Sequence, residues 1–174
     1  MRLRSFAGVV PLLALLWSGC GYHVSGHADT LPKTIKTIAV PPFSNNTTRY
    51  RLTERLPAAI TREFLSRTRY KVVGDPKDAD AVLNGSVITY AAFPTTFDPA
   101  TGRASAVQVY VHLGFTLTER ATGAVLYSQP NFEARERYEI STDQRAYFEE
   151  SDPAMDRLSQ YVARMVVSAV LEKF

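Results

Sequence analysis

The chain has 174 residues with 20 basic and 17 acidic side chains, a net charge of only +3. That balance gives no argument for nucleic acid, which is held by clustered cations that displace counterions from phosphates. A single cysteine, Cys20, excludes an intramolecular disulfide, so packing alone must hold the fold if the chain is exported.

Arg2 and Arg4 precede an apolar run from Phe6 to Trp17, and Ser18 and Gly19 lead into Cys20. This is the order of a secretory signal. The run has 12 residues, whereas a helix needs about 20 to cross a bilayer, so residues 1–19 read as a disposable signal peptide. Trp17-Ser18-Gly19-Cys20 resembles the lipobox of bacterial lipoproteins, with Trp17 where such boxes usually carry Leu and Leu16 one step further out. The resemblance implies cleavage before Cys20 and acylation of its thiol. It also implies export to the outer membrane, because Gly21 stands where an Asp favours inner-membrane retention. Removal of 1–19 leaves 155 residues with 18 basic and 17 acidic groups, a charge of +1 and enough chain for one domain with a sizeable core.

Residues 20–34, with Gly21, Gly26, Asp29 and Pro32, read as a lipidated tether, and 35–174 as a single globular domain. Ile35 to Val40 is rich in branched residues and stops at Pro41-Pro42, a first strand. Asn45-Asn46-Thr47-Thr48 then offers side-chain oxygens to cap a helix. Leu52, Leu56, Ala59, Ile60 and Phe64 fall on one helical face, and Pro57 predicts either a kink or a start near Leu56. Tyr70 to Val73 is a short strand. Ala81 to Phe93 is another, with a bulge expected at Gly85 and an end at Pro94. Val107, Val109, Val111, Leu113, Phe115 and Leu117 alternate strictly with polar neighbours, the mark of a half-buried strand. Ala121-Thr122-Gly123 closes a hairpin onto Val125 to Tyr127. Beyond Pro130, Phe132, Ala134, Tyr138 and Ile140 take one parity, with Glu133, Arg135, Arg137 and Glu139 on the other. Ser151-Asp152-Pro153 opens a last helix whose apolar stripe is Met155, Leu158, Val162, Met165 and Ala169, flanked by Tyr161, Val166 and Val170. The expected fold is an α+β two-layer sandwich: a mixed, largely antiparallel sheet of about four strands with two helices packed on one face.

Catalytic constellations are absent from the sequence. No Gly-x-Ser-x-Gly elbow, Gly-x-Gly-x-x-Gly or P-loop string occurs, so neither a hydrolase nor a nucleotide cofactor is expected. His23 and His27 lie in the tether and His112 on the polar parity of a strand, with no cysteine or carboxylate spacing that would hold a metal. A binding body on a lipid anchor remains, and Arg103, Arg135 and Arg137 are its candidates for contact with anionic groups such as lipid phosphates. The competing reading is that Glu133 and Glu139 neutralise Arg135 and Arg137 in an ordinary solvated ladder.

Gly19-Cys20-Gly21-Tyr22-His23, Leu31-Pro32 and Ile35 to Phe43 resemble the opening of the LptE family of lipopolysaccharide-assembly lipoproteins. Tyr70-Lys71-Val72-Val73, Asp80 to Gly85 and the long Val107 to Leu117 strand recur in the same order, while Phe97-Asp98-Pro99 and Tyr147 to Ser151 resemble a divergent branch. The resemblance implies a non-enzymatic α/β body on the periplasmic face of the outer membrane. Its partners would be lipopolysaccharide and a large outer-membrane β-barrel of the LptD type, which it would plug and support. The alternative is an accessory lipoprotein of a secretion pore or of a lipid-exporting transporter, since a strand ending in Ala39-Val40-Pro41-Pro42-Phe43 is common among these.

Overall fold

The structure, a computed structural model, describes residues 31–141 and 151–172. Among these residues six strands and two α-helices, with a 3-10 turn at Pro76–Asp78, run in the order β1 (Thr37–Ala39), β2 (Ser44–Asn45), α1 (Leu52–Arg67), β3 (Lys71–Val73), β4 (Ala81–Phe97), β5 (Ala104–Glu119), β6 (Val125–Glu139) and α2 (Ser151–Glu172). The fold is α+β on a mixed sheet of order β3-β1-β4-β5-β6, with β2 added to β4. The sheet therefore has six strands, not four. The three short ones, of two or three residues each, pair in parallel; β1 and β3 fall within the strands expected at Ile35 to Val40 and Tyr70 to Val73, whereas the two residues of β2 carry no periodicity of their own.

β5 behaves as its alternation predicts. Val109, Val111, Leu113 and Leu117 are fully buried and Phe115 nearly so, while the residues between them are half-buried. One face of β5 joins the core that also holds Leu56, Ile60 and Phe64 of α1 and Leu158, Val162, Val166 and Val170 of α2. On α2 the buried stripe is rotated from the expected one, because Val166 and Val167 face inward and Met165 is 43% exposed. Length and flexibility let Met occupy the rim, whereas branched valines fill the tight seam.

The helices run in the same direction. Arg51 and Arg55 at the start of α1 reach Asp152 at the start of α2 at 2.9 and 3.2 Å, and Arg67 at the end of α1 donates to Ser168 at 2.9 Å. Pro57 lies inside α1, which begins upstream of it at Leu52. A proline cannot bond the carbonyl four residues back, and the Thr53 carbonyl so released accepts instead from the Phe43 amide at 3.1 Å. The proline thus pins the loop after β1 to the helix. The Asn45 cluster does not cap α1 with a side chain; the Asn45 carboxamide accepts from the Thr47 amide and donates to the Arg49 carbonyl, building the loop itself.

β4 continues through Pro94 to Phe97, longer than expected. Only its first half carries β1 and β2, so beyond Val87 it is paired with β5 alone. A proline is tolerated there because the other edge has no ladder to lose. The irregularities fall between Val87 and Thr89 and on either side of Thr96, not at Gly85, which stands directly opposite Phe115 in regular register. Hairpin tips follow the turn chemistry: Gly102 and Gly123 have φ of 66° and 73°, and the Asp98 carboxylate accepts from the amides of Ala100 and Thr101.

Asp80 knots the end of the sheet away from the Gly102 tip. Its carboxylate accepts from the amides of Lys36 and Thr37 at 2.8 and 2.9 Å, and its own amide donates to the Thr37 hydroxyl. The Lys36 amide bond, followed by those from Thr37, holds this carboxyl below its ordinary range. A depressed pKa gives stability that is complete above the unfolded value, near ~3.9, and is lost as pH falls through the folded value. Asp80→Asn is expected to cost about 1–2 kcal/mol at neutral pH and to flatten the loss of stability below about pH 4. Urea unfolding at pH 7 and at pH 3 measures both; an Asn variant with unchanged acid sensitivity would remove Asp80 from this role.

Candidate functional surface: the open face of the β4–β5–β6 sheet

The long strands leave one face uncovered by the core. Register places Ala91 of β4, Tyr110 of β5 and Arg135 of β6 in one row, and Phe93, Gln108 and Arg137 in the next. The Arg135 guanidinium lies 5.2 Å above the Tyr110 ring, and the Phe93 ring meets Tyr110 edge-on at 6.1 Å. Phe93 and Phe97 are each 56% exposed. A cation stacked on an aromatic whose other edge carries exposed apolar surface suits an amphiphile with an anionic head and a hydrocarbon part.

One row further, His112 and Glu133 stand directly opposite, with Nε2 3.0 Å from the carboxylate. Glu133 also accepts from Arg135 Nε. The bond from Arg135 holds the Glu133 carboxyl below its usual range, and the same bond raises Arg135 further. His112 is thus a cross-strand partner of a carboxylate, and Arg135 is matched locally by Glu133, as the solvated-ladder reading expects.

Arg137 lies on the same face and donates to the Thr96 hydroxyl at 3.4 Å across the sheet. Arg103 sits exposed beyond the start of β5 at the hairpin tip. It stands five positions before Gln108, the register partner of Arg137, or about 17 Å along a strand. The structure therefore groups Arg135 with Arg137 and sets Arg103 apart at the tip. Cys20 lies outside the described residues.

Sequence reasoning missed Arg157. From α2 it pairs with Glu136 at 2.8 Å and donates to the Arg137 carbonyl at 3.3 Å, covering part of the outer edge of β6. No sequence pattern links a helix residue to a strand some twenty positions earlier. Nor did the sequence mark Phe93 as exposed, because its parity looks the same on a covered and an open strand. Among the described residues no group of three or more metal-ligating side chains occurs, and no helix is long and apolar enough to cross a membrane.

No curated protein matches the chain. Among solved structures it is similar to an uncharacterized lipoprotein B from Nitrosomonas europaea, at 16% identity and a TM-score of 0.55, covering 86% of this chain and 91% of that one. It is also similar to the subunit of a PelC dodecamer from Paraburkholderia phytofirmans, at 17% identity and a TM-score of 0.53, covering 79% and 88%. At such identities the likeness concerns the fold. The family model described as LptE, lipopolysaccharide-assembly, matches residues 35–170, from the approach to β1 into the last turn of α2. The chain belongs to the LptE family of lipopolysaccharide-assembly proteins.

Proposed function

We propose that this protein is a non-enzymatic outer-membrane lipoprotein, acylated at Cys20 after loss of residues 1–19, whose body plugs and supports the β-barrel that delivers lipopolysaccharide to the outer leaflet. The observation that carries the reading is the family match across 35–170, which takes in every strand and nearly all of both helices. Residues 20–34 then act as the tether between the lipid and the body. Leu31, at the end of the segment expected to be tether, is 4% exposed and belongs to the core. Helices and sheet stacked as two layers would leave the open face for the barrel wall. A chain carrying +1 after loss of the signal suits many moderate contacts with a lumen that is itself polar.

A mild-detergent pull-down of the lipidated protein from outer membranes, with mass spectrometry of stoichiometric partners, tests this. One large β-barrel of the LptD type is the expected result. A ring of its own copies, an inner-membrane transporter or the protein alone would transfer the assignment to an accessory lipoprotein.

Arg103, Arg135 and Arg137 remain the proposed contacts for lipopolysaccharide phosphates. Replacing all three by alanine is expected to weaken capture of purified lipopolysaccharide by on the order of 10- to 100-fold, as lost charge-assisted bonds dictate. All three are exposed, so the thermal midpoint should hardly move. Unchanged capture by a folded triple variant would place lipid recognition elsewhere.

A further inference from the structure

At the end of the sheet where the chain comes in from Cys20, residues 31–37 and 69–71 enclose a cleft of about 650 Å3. Its floor is Leu31, Ile35 and Tyr70, and its rim carries Lys33, Lys36, Arg69 and Lys71, with no carboxylate among the lining residues. The cations come from two segments that meet only because β1 and β3 pair in parallel, with Thr37 against Lys71. Two carboxylates lie beside these segments, Asp80 on the amides of Lys36 and Thr37 and Glu119 on the hydroxyls of Thr34 and Thr122. The three lysines of the rim outnumber these two anions, a local excess of positive charge on a body whose total charge is close to neutral.

Ten residues, 21–30, separate Cys20 from Leu31. Even fully extended they reach on the order of 35 Å, so a lipid on Cys20 confines this end of the body to the neighbourhood of the membrane surface. We propose that the cleft docks on anionic phospholipid head groups of the leaflet that holds the Cys20 lipid. The inference rests on the reading of Cys20 as acylated. Each cation held near an anionic surface strengthens partitioning about fivefold, and the attraction fades within roughly a Debye length of ~10 Å. Lipid chains and a polybasic patch reinforce one another at a membrane, and the apolar floor admits the glycerol and first methylenes beneath a head group. The hairpin tip with Arg103 lies at the other end of the 17-residue β4, on the order of 50 Å away, so docking fixes which end of the body faces away from the leaflet.

The test uses the full lipidated protein in vesicles of phosphatidylcholine alone or of phosphatidylcholine with phosphatidylglycerol, followed by hydrogen exchange at 31–37 and 69–73 and by vesicle flotation. Exchange at both segments should slow at least about tenfold on the anionic vesicles relative to the neutral ones. High salt should reverse the protection, and Lys33→Glu/Lys36→Glu/Lys71→Glu should abolish it. The salt titration on the native chain gives the answer even if that variant does not fold. Equal protection on both vesicles would mean that residues 21–30 or a neutral lipid fill the cleft, and would overturn the proposal. Protection that appears with lipopolysaccharide but not with phosphatidylglycerol overturns it as well. Flotation separates the two readings: a chain that floats with neutral vesicles yet shows no anionic protection loses the cleft and keeps the anchor. One that floats only with anionic vesicles keeps the cleft and loses the anchor, and one that floats with neither loses both.

Discussion

Replacing Gly85 by alanine is expected to lower the unfolding free energy by about 1–3 kcal/mol, the range of overpacking in a filled core. A Cβ built on Gly85 would lie 2.5 Å from the Phe43 ring, far inside contact distance. The ring has no room to retreat. It is 2% exposed, its edge meets Phe115 with centroids 5.7 Å apart, and its backbone amide is fixed on the Thr53 carbonyl that Pro57 leaves free. Gly85 and Phe115 are direct cross-strand partners, so the glycine makes the space in which two aromatic side chains stack beside a strand pair. The clash belongs to one pair, and shortening Phe43 to leucine should therefore recover part of the loss in a double-mutant cycle. Urea unfolding of the four proteins reads this directly. A Gly85→Ala cost that Phe43→Leu leaves untouched would locate the strain in the backbone instead.

Phe115→Ala should be the most damaging single truncation in the sheet, at about 3–5 kcal/mol. Phe115 is 1% exposed and bridges Phe43 on one side and Phe132 on the other, with centroids 5.7 and 6.0 Å away. It thus joins the loop after β1, the centre of β5 and the edge strand β6. Its neighbour Thr116 points to the open face, and Thr116→Ala should stay within about 0.5 kcal/mol of the native protein. Thermal unfolding of the pair separates the two faces. Comparable losses at 115 and 116 would show that the face assignment of β5 is wrong.

The contrast between those adjacent residues explains why β5 is legible in the sequence. Burial on one face of a strand has period two and is written into consecutive residues. The same local logic finds both helices, the Gly123 turn and the split of β6 into an apolar parity and the Glu133, Arg135, Arg137 parity. The readings that fail are those whose outcome depends on a distant partner. Pro94 is expected to end β4, but whether a proline breaks a strand depends on whether its amide would have met a neighbour, and β4 has β5 alone at that point. Pro57 leaves two possibilities open because the group that takes the Thr53 carbonyl, the Phe43 amide, lies fourteen residues upstream of it. Met165 and Val166 are equally apolar; only the packing of α2 on α1 and the sheet turns one outward and the other in.

The candidate surfaces divide in the same way. The sequence by itself determined the alternation that gives β5 and β6 a polar face, the amphipathic helices, the charges of Arg103, Arg135 and Arg137 and the likeness to one family, because each is carried by residues close together in the chain. Tertiary structure alone decided that Arg135 is stacked on Tyr110 while Arg103 stands apart at the tip. It alone brought Lys33 and Lys36 beside Arg69 and Lys71. The physical reason is that a charge acts on whatever lies within a few ångströms of it, and those neighbours are chosen by strand pairing across the chain rather than by order along it.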